Sequence, residues 1–190
     1  MPDPGSTSDD HLRWRETERV DAHDYRIFRT QRIRAQHPSR GTERQFVSIH
    51  AADWVNVIAQ TAAGDVVLIR QYRHGTAAVH VEIPGGMVDP GEDPLVAAQR
   101  ELREETGYVA SRWRCLGVVT PNPAIQDNRL HLYAAEDAIL DGAPEFDEGE
   151  VVTTFTAPLA DTLAMVRRGE IDHALVVAAF AHLVLASSAP

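Results

Sequence analysis

The sequence reads GGMVDPGEDPLVAAQRELREETGY from Gly85 to Tyr108. The second half of this stretch predicts a helix with clear ends. Asp93 suits the N-cap, Pro94 the first helical position, and Gly107 the position that terminates a helix. The first half is rich in glycine and lacks a helical pattern, so it predicts a loop. The stretch is therefore expected to form a loop that leads directly into a helix.

The predicted helix carries an apolar side and, next to it, an acidic side. Glu101, Glu104 and Glu105 lie together on the acidic side, where like charges three and four residues apart repel each other. Carboxylates and exposed loop carbonyls are hard oxygen ligands, which suit Mg²⁺ or Mn²⁺ and not zinc. A solvated charged face is the alternative interpretation. The residues expected to face the core are Leu95, Ala98, Leu102 and Thr106.

The spacing of the stretch is more specific than its composition. After Gly86 come five residues, Glu92, seven residues, Arg100-Glu101-Leu102, one residue, Glu104-Glu105, one residue, and Gly107-Tyr108. This pattern resembles the Nudix box. The sequence departs from this pattern only slightly and only at its last residue, Tyr108, where an aliphatic residue is commoner. The number of fixed positions makes the match far more specific than a lone glycine motif.

The resemblance implies the Nudix fold, an α+β fold with a mixed β-sheet sandwiched between α-helices, here with an N-terminal antiparallel strand region. It also implies metal-dependent hydrolysis of a nucleoside diphosphate linked to another group. By family analogy, Glu101, Glu105 and the carbonyl of Gly85 ligate Mg²⁺, for which Mn²⁺ may substitute, and Glu104 assists catalysis. Glu92 and Arg100 are expected to pair and to brace the loop against the helix.

Motifs outside the box resemble the branch of ADP-ribose pyrophosphatases and nucleoside-diphosphate-sugar hydrolases. Within the acidic loop Asp141 to Glu150, the stretch Asp147-Glu148-Gly149-Glu150 matches the place where that branch carries its catalytic base. By position, Glu148 is expected to be the general base and Glu150 a further metal ligand. A plain solvated loop is the alternative for this segment. The motifs that carry the resemblance are Asp53–Ile58, Gln71–Arg73, Glu82–Met87 and Pro121–Gln126.

Six residues of this branch-specific region are candidate substrate contacts. Arg73 and Glu82 are expected to contact the diphosphate or the sugar, although Arg73 also suits a surface ion pair. Trp54 is a candidate for stacking on the base, but an aromatic residue at a strand end more often packs in the core. The other three supply donors on a loop, for base or sugar recognition or for the turn itself: Asn122, Gln126 and Arg129.

Composition and charge exclude several other classes of protein. The chain has 190 residues, a size that fits one ordinary domain, and its formal net charge of -10 argues against binding long nucleic acid. No stretch approaches the roughly 18 apolar residues that a membrane span needs. The only cysteine, Cys115, excludes an internal disulfide and a four-cysteine zinc site, and makes the cytoplasm the default location.

The chain divides into three expected segments. Residues 1–10 read as a disordered tail, residues 11–50 as an N-terminal β region, and residues 51–190 as the Nudix hydrolase domain. Strands are expected near Trp14–Val20, Tyr25–Ile33 and Arg44–Ile49. They would leave edges and apolar side chains exposed unless a second copy covered them, so a symmetric homodimer is expected. The apolar residues concerned are Ile27, Phe28, Ile33, Phe46 and Val47.

Alternating strands and two final helices are expected after this region. The turn residues Ala62–Asp65 predict a hairpin. The expected strands are Trp54–Ala59, Val66–Tyr72, Val79–Ile83, Arg114–Val119, Leu130–Ala135 and Val151–Thr156. The expected closing helices are Leu159–Arg168 and Asp172–Leu185.

The favoured function is hydrolysis of the diphosphate bond of a nucleoside diphosphate sugar, such as ADP-ribose or GDP-mannose, to a nucleoside monophosphate and a sugar 1-phosphate. One alternative is a pyrophosphohydrolase that sanitises nucleoside triphosphates. The other is a non-catalytic regulator that binds a nucleotide sugar, although such proteins usually lose the box carboxylates that are kept here. The preferred base and sugar stay open, because the fold does not decide them.

Overall fold

The structure, a computed structural model, describes residues 9–146, 149 and 151–187. Glu148 and Glu150 lie outside the described residues, as does most of the tail expected over residues 1–10. Of that tail, Asp10 belongs to a short 3-10 helix, Asp10–Leu12. The described residues form two compact units, one of residues 9–51 with Asn122–Asn128 and one of residues 52–121 with 129–187.

The first unit contains a three-stranded antiparallel sheet in the order β1-β2-β3. Its strands are β1 (Arg15–Asp24), β2 (Phe28–Gln36) and β3 (Glu43–Ala51). β2 and β3 pair without a register shift from Phe28↔Ala51 to Gln36↔Glu43. All three strands expected from the sequence are present. β1 and β3 are longer than predicted, and β2 has the predicted length but begins and ends three residues later.

This sheet buries few apolar side chains within its own unit. Among its described residues, Ala35 is the only buried apolar residue. Ile27, Phe46 and Val47 are exposed, as expected, whereas Phe28 and Ile33 are half-buried. Side chains alternate between the two faces of a strand, so Phe46 and Val47 place apolar surface on both faces of β3.

The second unit is built on a seven-stranded mixed sheet and three α-helices. Five strands follow the order β10-β5-β4-β9-β7, β6 pairs with β5, and β8 pairs with β9. β4 and β9 run parallel, and the other pairs are antiparallel. The elements are β4 (Trp54–Thr61), β5 (Asp65–Arg73), β6 (Ala78–Glu82), α1 (Pro94–Thr106), β7 (Tyr108–Val109), β8 (Arg112–Val119), β9 (Leu130–Leu140), β10 (Val152–Pro158), α2 (Leu159–Arg168) and α3 (Ala174–Ser187).

Helices cover both faces of this sheet, and the alternation along β4 shows how. Val55 and Val57 pack into one buried cluster with Leu102 of α1. Ile58 packs into a second buried cluster with Phe180 of α3. Because successive side chains of a strand point to opposite faces, the two clusters form two cores. The expected α+β sandwich is confirmed. None of the described helices has the length and hydropathy required to cross a bilayer.

The boundaries of α1 agree with the signals in the sequence. The side chain of Asp93 accepts a hydrogen bond from the backbone N–H of Leu95 at 2.8 Å, and Pro94 begins the helix. Gly107 adopts φ 72° and donates its N–H to the carbonyl of Arg103, which ends the helix. The three carboxylates of the acidic side differ in burial, because Glu105 is buried whereas Glu101 and Glu104 are half-buried.

Candidate active site

The glycine-rich loop before α1 is held against β4. Val57 donates its backbone N–H to the carbonyl of Pro84 at 2.8 Å, and Val55 donates to that of Gly86 at 2.9 Å. On the other side, the N–H of Gly85 donates to Oε2 of Glu105 at 2.9 Å. The loop is therefore fixed between a central strand and the acidic helix.

Two glycines of this loop make close approaches that a side chain would disturb. A Cβ on Gly85 would lie 2.2 Å from the carbonyl oxygen of Val55. A Cβ on Gly86 would lie 2.3 Å from Oε1 of Glu101. A side chain at Gly85 would therefore force the loop away from the backbone of β4, and one at Gly86 would displace the Glu101 carboxylate.

Arg100 connects the loop to the acidic side of α1. Its Nε and Nη2 donate to the two carboxylate oxygens of Glu92 at 3.1 and 3.0 Å, and Nη2 also donates to the carbonyl of Met87 at 2.9 Å. Its Nη1 donates to Glu101 and Glu104 at 2.9 and 3.0 Å. Hydrogen bonds with Glu92, followed by the attraction of the other carboxylates, raise the pKa of Arg100 despite partial desolvation. The expected pairing of Glu92 with Arg100 is confirmed.

The carboxylates of α1 line a small polar cavity, which we call the acidic cavity. Its volume is about 210 Å³. The oxygen-rich lining has the donor chemistry that Mg²⁺ and Mn²⁺ prefer. Within the part of the chain that the structure describes, no three acidic, histidine or cysteine side chains converge as a metal cluster. The lining residues are Gln71, Arg73, Gly85, Gly86, Arg100, Glu101, Glu104, Glu105 and Glu145.

A second and larger cavity of about 660 Å³ lies in the same unit, and we call it the large cavity. Its walls are mainly apolar and include Trp54, Ile83 and Leu130. Arg73, Gly85 and Gly86 line both cavities. The two cavities therefore share a wall made by one guanidinium and the glycine-rich loop.

Arg73 and Glu82 form a bidentate ion pair in this shared wall. Nε and Nη2 of Arg73 donate to the two carboxylate oxygens of Glu82 at 2.9 and 2.7 Å. Glu82 is only 2% exposed. Burial on its own would raise the pKa of Glu82, but the hydrogen bonds from Arg73, together with the close contact of His173, outweigh it and lower this pKa to about 2. Glu82 is therefore a buried anion whose carboxylate is directed at Arg73.

The other candidate substrate residues occupy different places. Trp54 packs against the buried cluster that contains Ile58 and Phe180, and it lines the large cavity. Arg129 is fixed through its backbone, which donates to Asp53 and accepts from the N–H of Trp54, both at 2.8 Å. Asn122 and Gln126 belong to the first unit, where the N–H of Gln126 donates to the carbonyl of Asn122 at 2.8 Å.

Sequence reasoning missed a group of histidines and carboxylates beside Glu82. His80, which looks isolated in the sequence, lies with Nδ1 2.8 Å from Oδ1 of Asp172. Its Nε2 lies 2.6 Å from the hydroxyl of Thr76. Nδ1 of His173 lies 3.2 Å from Oε2 of Glu82. No local pattern could reveal the pairs of His80 with Asp172 and of His173 with Glu82, because their partners are about ninety residues apart in sequence.

Comparisons with known proteins agree with this arrangement. The family model of the NUDIX domain matches residues 50–180. The ADP-ribose pyrophosphatase of Bacillus subtilis is 33% identical over 147 residues, which cover 77% of this chain and 78% of that protein. The ADP-ribose pyrophosphatase of Mycobacterium tuberculosis is 32% identical over 158 residues, 82% of this chain and 76% of that protein.

A solved structure supports the same fold. The crystal structure of an ADP compounds hydrolase superposes with a TM-score of 0.78 at 22% identity, covering 90% of this chain and 92% of that one. The chain thus belongs to the Nudix family of hydrolases, whose members generally use divalent metal ions. Within the family, its relatives place it in the branch of the ADP-ribose pyrophosphatases.

Proposed function

We propose that this chain hydrolyses the diphosphate bond of a nucleoside diphosphate sugar and releases a nucleoside monophosphate and a sugar 1-phosphate. The observation that carries this proposal is the shared wall of the two cavities, where Arg73 borders both. A diphosphate with an organic group attached needs a charged subsite beside a larger one that accepts the group. The acidic cavity suits the first role once metal is bound, and the large cavity suits the second.

The metal of this reaction is proposed to be Mg²⁺, with Mn²⁺ as a substitute. Glu101, Glu105 and the carbonyl of Gly85 are proposed to hold it, with Glu150 as a further ligand. The close approach of the Gly86 backbone to the Glu101 carboxylate supports this set, because it brings loop and helix oxygens to one place. When bound, the metal supplies positive charge that neutralises the diphosphate and makes a water molecule more acidic.

Glu148 is proposed as the general base that takes a proton from the attacking water. Its support is its position in the acidic loop, which matches the place where related hydrolases carry their base. Glu104 is the next candidate, since its carboxylate lies beside Glu101 on the wall of the acidic cavity and is oriented by Arg100.

Selection of nucleotide sugars over triphosphates is proposed to come from residues outside the box. Arg73 is proposed to contact the diphosphate and Trp54 to contact the group held in the large cavity. The backbone at Arg129, and the loop with Asn122 and Gln126, are proposed to add polar contacts to the base or sugar. A site that hydrogen-bonds sugar hydroxyls strongly disfavours a ligand without them, because its polar groups are left unpaired.

A homodimer formed through β1, β2 and β3 is proposed as the working form. Its support is the exposed apolar surface of that sheet, including Ile27, Phe46 and Val47. The proposed location is the cytoplasm, since the chain has a single cysteine and thus no internal disulfide.

The reaction is tested with a panel of ADP-ribose, GDP-mannose, UDP-glucose and the matching nucleoside triphosphates, each with Mg²⁺. Products are separated by chromatography, and Glu105→Gln serves as the control for contaminating activities. We expect nucleotide sugars to be hydrolysed faster than triphosphates, with a sugar 1-phosphate released. Faster release of pyrophosphate from a triphosphate would favour the sanitising function. Tight binding of a nucleotide sugar without any turnover would instead favour the regulator.

A further inference from the structure

Two imidazole–carboxylate pairs connect β6 to the turn before α3, and we call these four residues the β6 clasp. On β6, His80 and Glu82 are two residues apart. On the turn, Asp172 and His173 are adjacent. His80 pairs with Asp172 at 2.8 Å, and Glu82 pairs with His173 at 3.2 Å. β6 therefore supplies the imidazole of one pair and the carboxylate of the other. The clasp fixes the strand that carries Glu82 against the turn.

The position of His173 is set by the start of the helix that follows it. Its backbone carbonyl accepts hydrogen bonds from the N–H groups of Val176 and Val177, both at 3.0 Å. Its Nδ1 is buried and lies 3.2 Å from Oε2 of Glu82, in a close contact that does not meet the geometry of a hydrogen bond. The backbone of His173 is therefore fixed at the start of α3, and from there its imidazole lies beside the Glu82 carboxylate.

Arg73 depends on Glu82 for its orientation. The β5–β6 register pairs Arg73 with Ala78, and Glu82 with Ile69 further along the hairpin. The Arg73 side chain thus extends back along the hairpin to reach the carboxylate, which it meets with both Nε and Nη2. A bidentate pair fixes the plane of the guanidinium as well as its position. Any shift of the Glu82 carboxylate would tilt the guanidinium in the wall of both cavities.

We propose that His173 is a positioning residue, which through Glu82 holds the Arg73 guanidinium in the orientation that meets the substrate diphosphate. The inference rests on the proposed function, because it assigns Arg73 to the diphosphate of a nucleotide sugar. His173 itself contacts no reacting atom in this scheme. Its effect on the reaction passes through the carboxylate of Glu82 and the guanidinium of Arg73.

The kinetic signature of this role differs from that of a structural role. Arg73 binds the diphosphate in the ground state as well as in the transition state, so a misoriented guanidinium raises KM and changes kcat little. Loss of folded protein, in contrast, lowers the apparent kcat and leaves KM unchanged. We therefore expect His173→Leu, which removes the imidazole nitrogen, to raise KM about tenfold, as for a weakened contact to a charged group.

Three further variants complete the experiment. His173→Asn keeps a nitrogen donor near the Nδ1 position and should bring KM back towards the wild-type value. In an Arg73→Gln background, His173→Leu should have no further effect on KM, because the group through which it acts is gone. His182→Leu, on the helix that follows His173, is the matched control. Its Nδ1 contacts only the carbonyl of Leu116, at 3.0 Å, among the hydrogen bonds described, and the KM of this variant should equal that of the wild type.

Steady-state kinetics are measured with a hydrolysed nucleotide sugar and saturating Mg²⁺, and circular dichroism reports folding. An unchanged KM in His173→Leu with an active wild type would overturn the positioning role alone. An additive effect of His173→Leu in the Arg73→Gln background would overturn it as well. A wild type that hydrolyses no nucleotide sugar would overturn the proposed function, and with it the inference.

Discussion

The buried carboxylate of Glu105 accepts a hydrogen bond from the backbone N–H of Gly85, with 2.9 Å between Oε2 and the nitrogen. The contact joins α1 to the loop that precedes it, and Glu105 is only 3% exposed. The backbone of Gly85 is thereby tied to the helix that carries Glu101 and Glu104. Gly85 and Gly86 line the acidic cavity together with Glu101, Glu104 and Glu105 of the helix.

Replacing Glu105 by glutamine should remove activity and leave the fold intact. The amide oxygen of glutamine can still accept the N–H of Gly85, and loss of one charge lessens repulsion on the acidic side of α1. The proposed metal ligand is lost, however, so we expect kcat to fall by roughly a hundredfold or more. Turnover with saturating Mg²⁺ and a thermal melt provide the two measurements.

The matched control for this variant is Glu136→Gln. Glu136 forms an ion pair with Arg112 at 3.3 Å on neighbouring strands, and it lines neither of the two cavities described. Its turnover should equal that of the wild type. Near-native turnover of Glu105→Gln would refute the metal assignment.

The sequence predicts those parts of this molecule that depend on local signals. The ends of α1 follow from Asp93, Pro94 and Gly107, each of which acts on the backbone within a few residues. The hairpin between β4 and β5 follows from its turn residues in the same way. The box residues could be assigned by their spacing alone, since one helix and one loop carry most of them.

The parts that the sequence does not predict depend on distant partners. β7 has only two residues, Tyr108 and Val109, and exists because it pairs with Leu140 and Ile139 of β9. The same pairing extends β9 beyond its predicted end. Glu82 is expected at the substrate, but its burial under Arg73 and His173 follows from the packing of β6 on the turn before α3. The residues next to a strand carboxylate in the sequence do not indicate such a distant partner.

Removal of divalent metal should abolish hydrolysis reversibly. The carboxylates of the acidic cavity cannot neutralise a diphosphate without a cation, because they add negative charge to it. We expect a chelator to stop product release, and Mg²⁺ or Mn²⁺ to restore it. A chelated protein that still hydrolyses nucleotide sugars at the wild-type rate would contradict the proposed mechanism.

Glu148→Gln should lower kcat strongly and leave KM nearly unchanged, because a general base acts on the attacking water and not on the bound substrate. Glu150→Gln should instead raise the Mg²⁺ concentration needed for half-maximal rate, as expected for a metal ligand. Both are measured by steady-state kinetics over a Mg²⁺ titration. Unaltered kinetics in both variants would mean that Glu148 is not the general base. Glu104 would then be the candidate, and Glu104→Gln tests it.

The exposed apolar surface of β3 should be buried in a homodimer. We expect the wild type to sediment as a dimer at micromolar concentration. The double variant Phe46→Glu with Val47→Glu should sediment as a monomer, because it places charge on both faces of the strand. Thr42→Glu, in the turn between β2 and β3, is the control and should remain dimeric. A fully active wild-type monomer would refute the proposed assembly.

The ion pair of Glu82 with Arg73 should make the free energy of unfolding depend on pH. The pKa of Glu82 is lowered from 4.5 to about 2 in the folded chain. The folded state therefore takes up this proton less readily than the unfolded state does. The stabilisation is fully present above pH 4.5 and is lost as the pH falls towards 2. A shift of this size corresponds to a free energy on the order of 3 kcal/mol.

The comparison of the wild type with Glu82→Gln measures this contribution. Urea unfolding of both proteins at a series of pH values gives the difference in their free energies of unfolding. We expect this difference to be largest at neutral pH and to shrink through the interval between pH 4.5 and 2, where the unfolded chain takes up the proton more readily than the folded chain. Glu136→Gln, measured in parallel, reports the effect of replacing a carboxylate that is more exposed. A difference for Glu82→Gln that stays constant through this interval would show that its carboxylate is not held as an anion by Arg73.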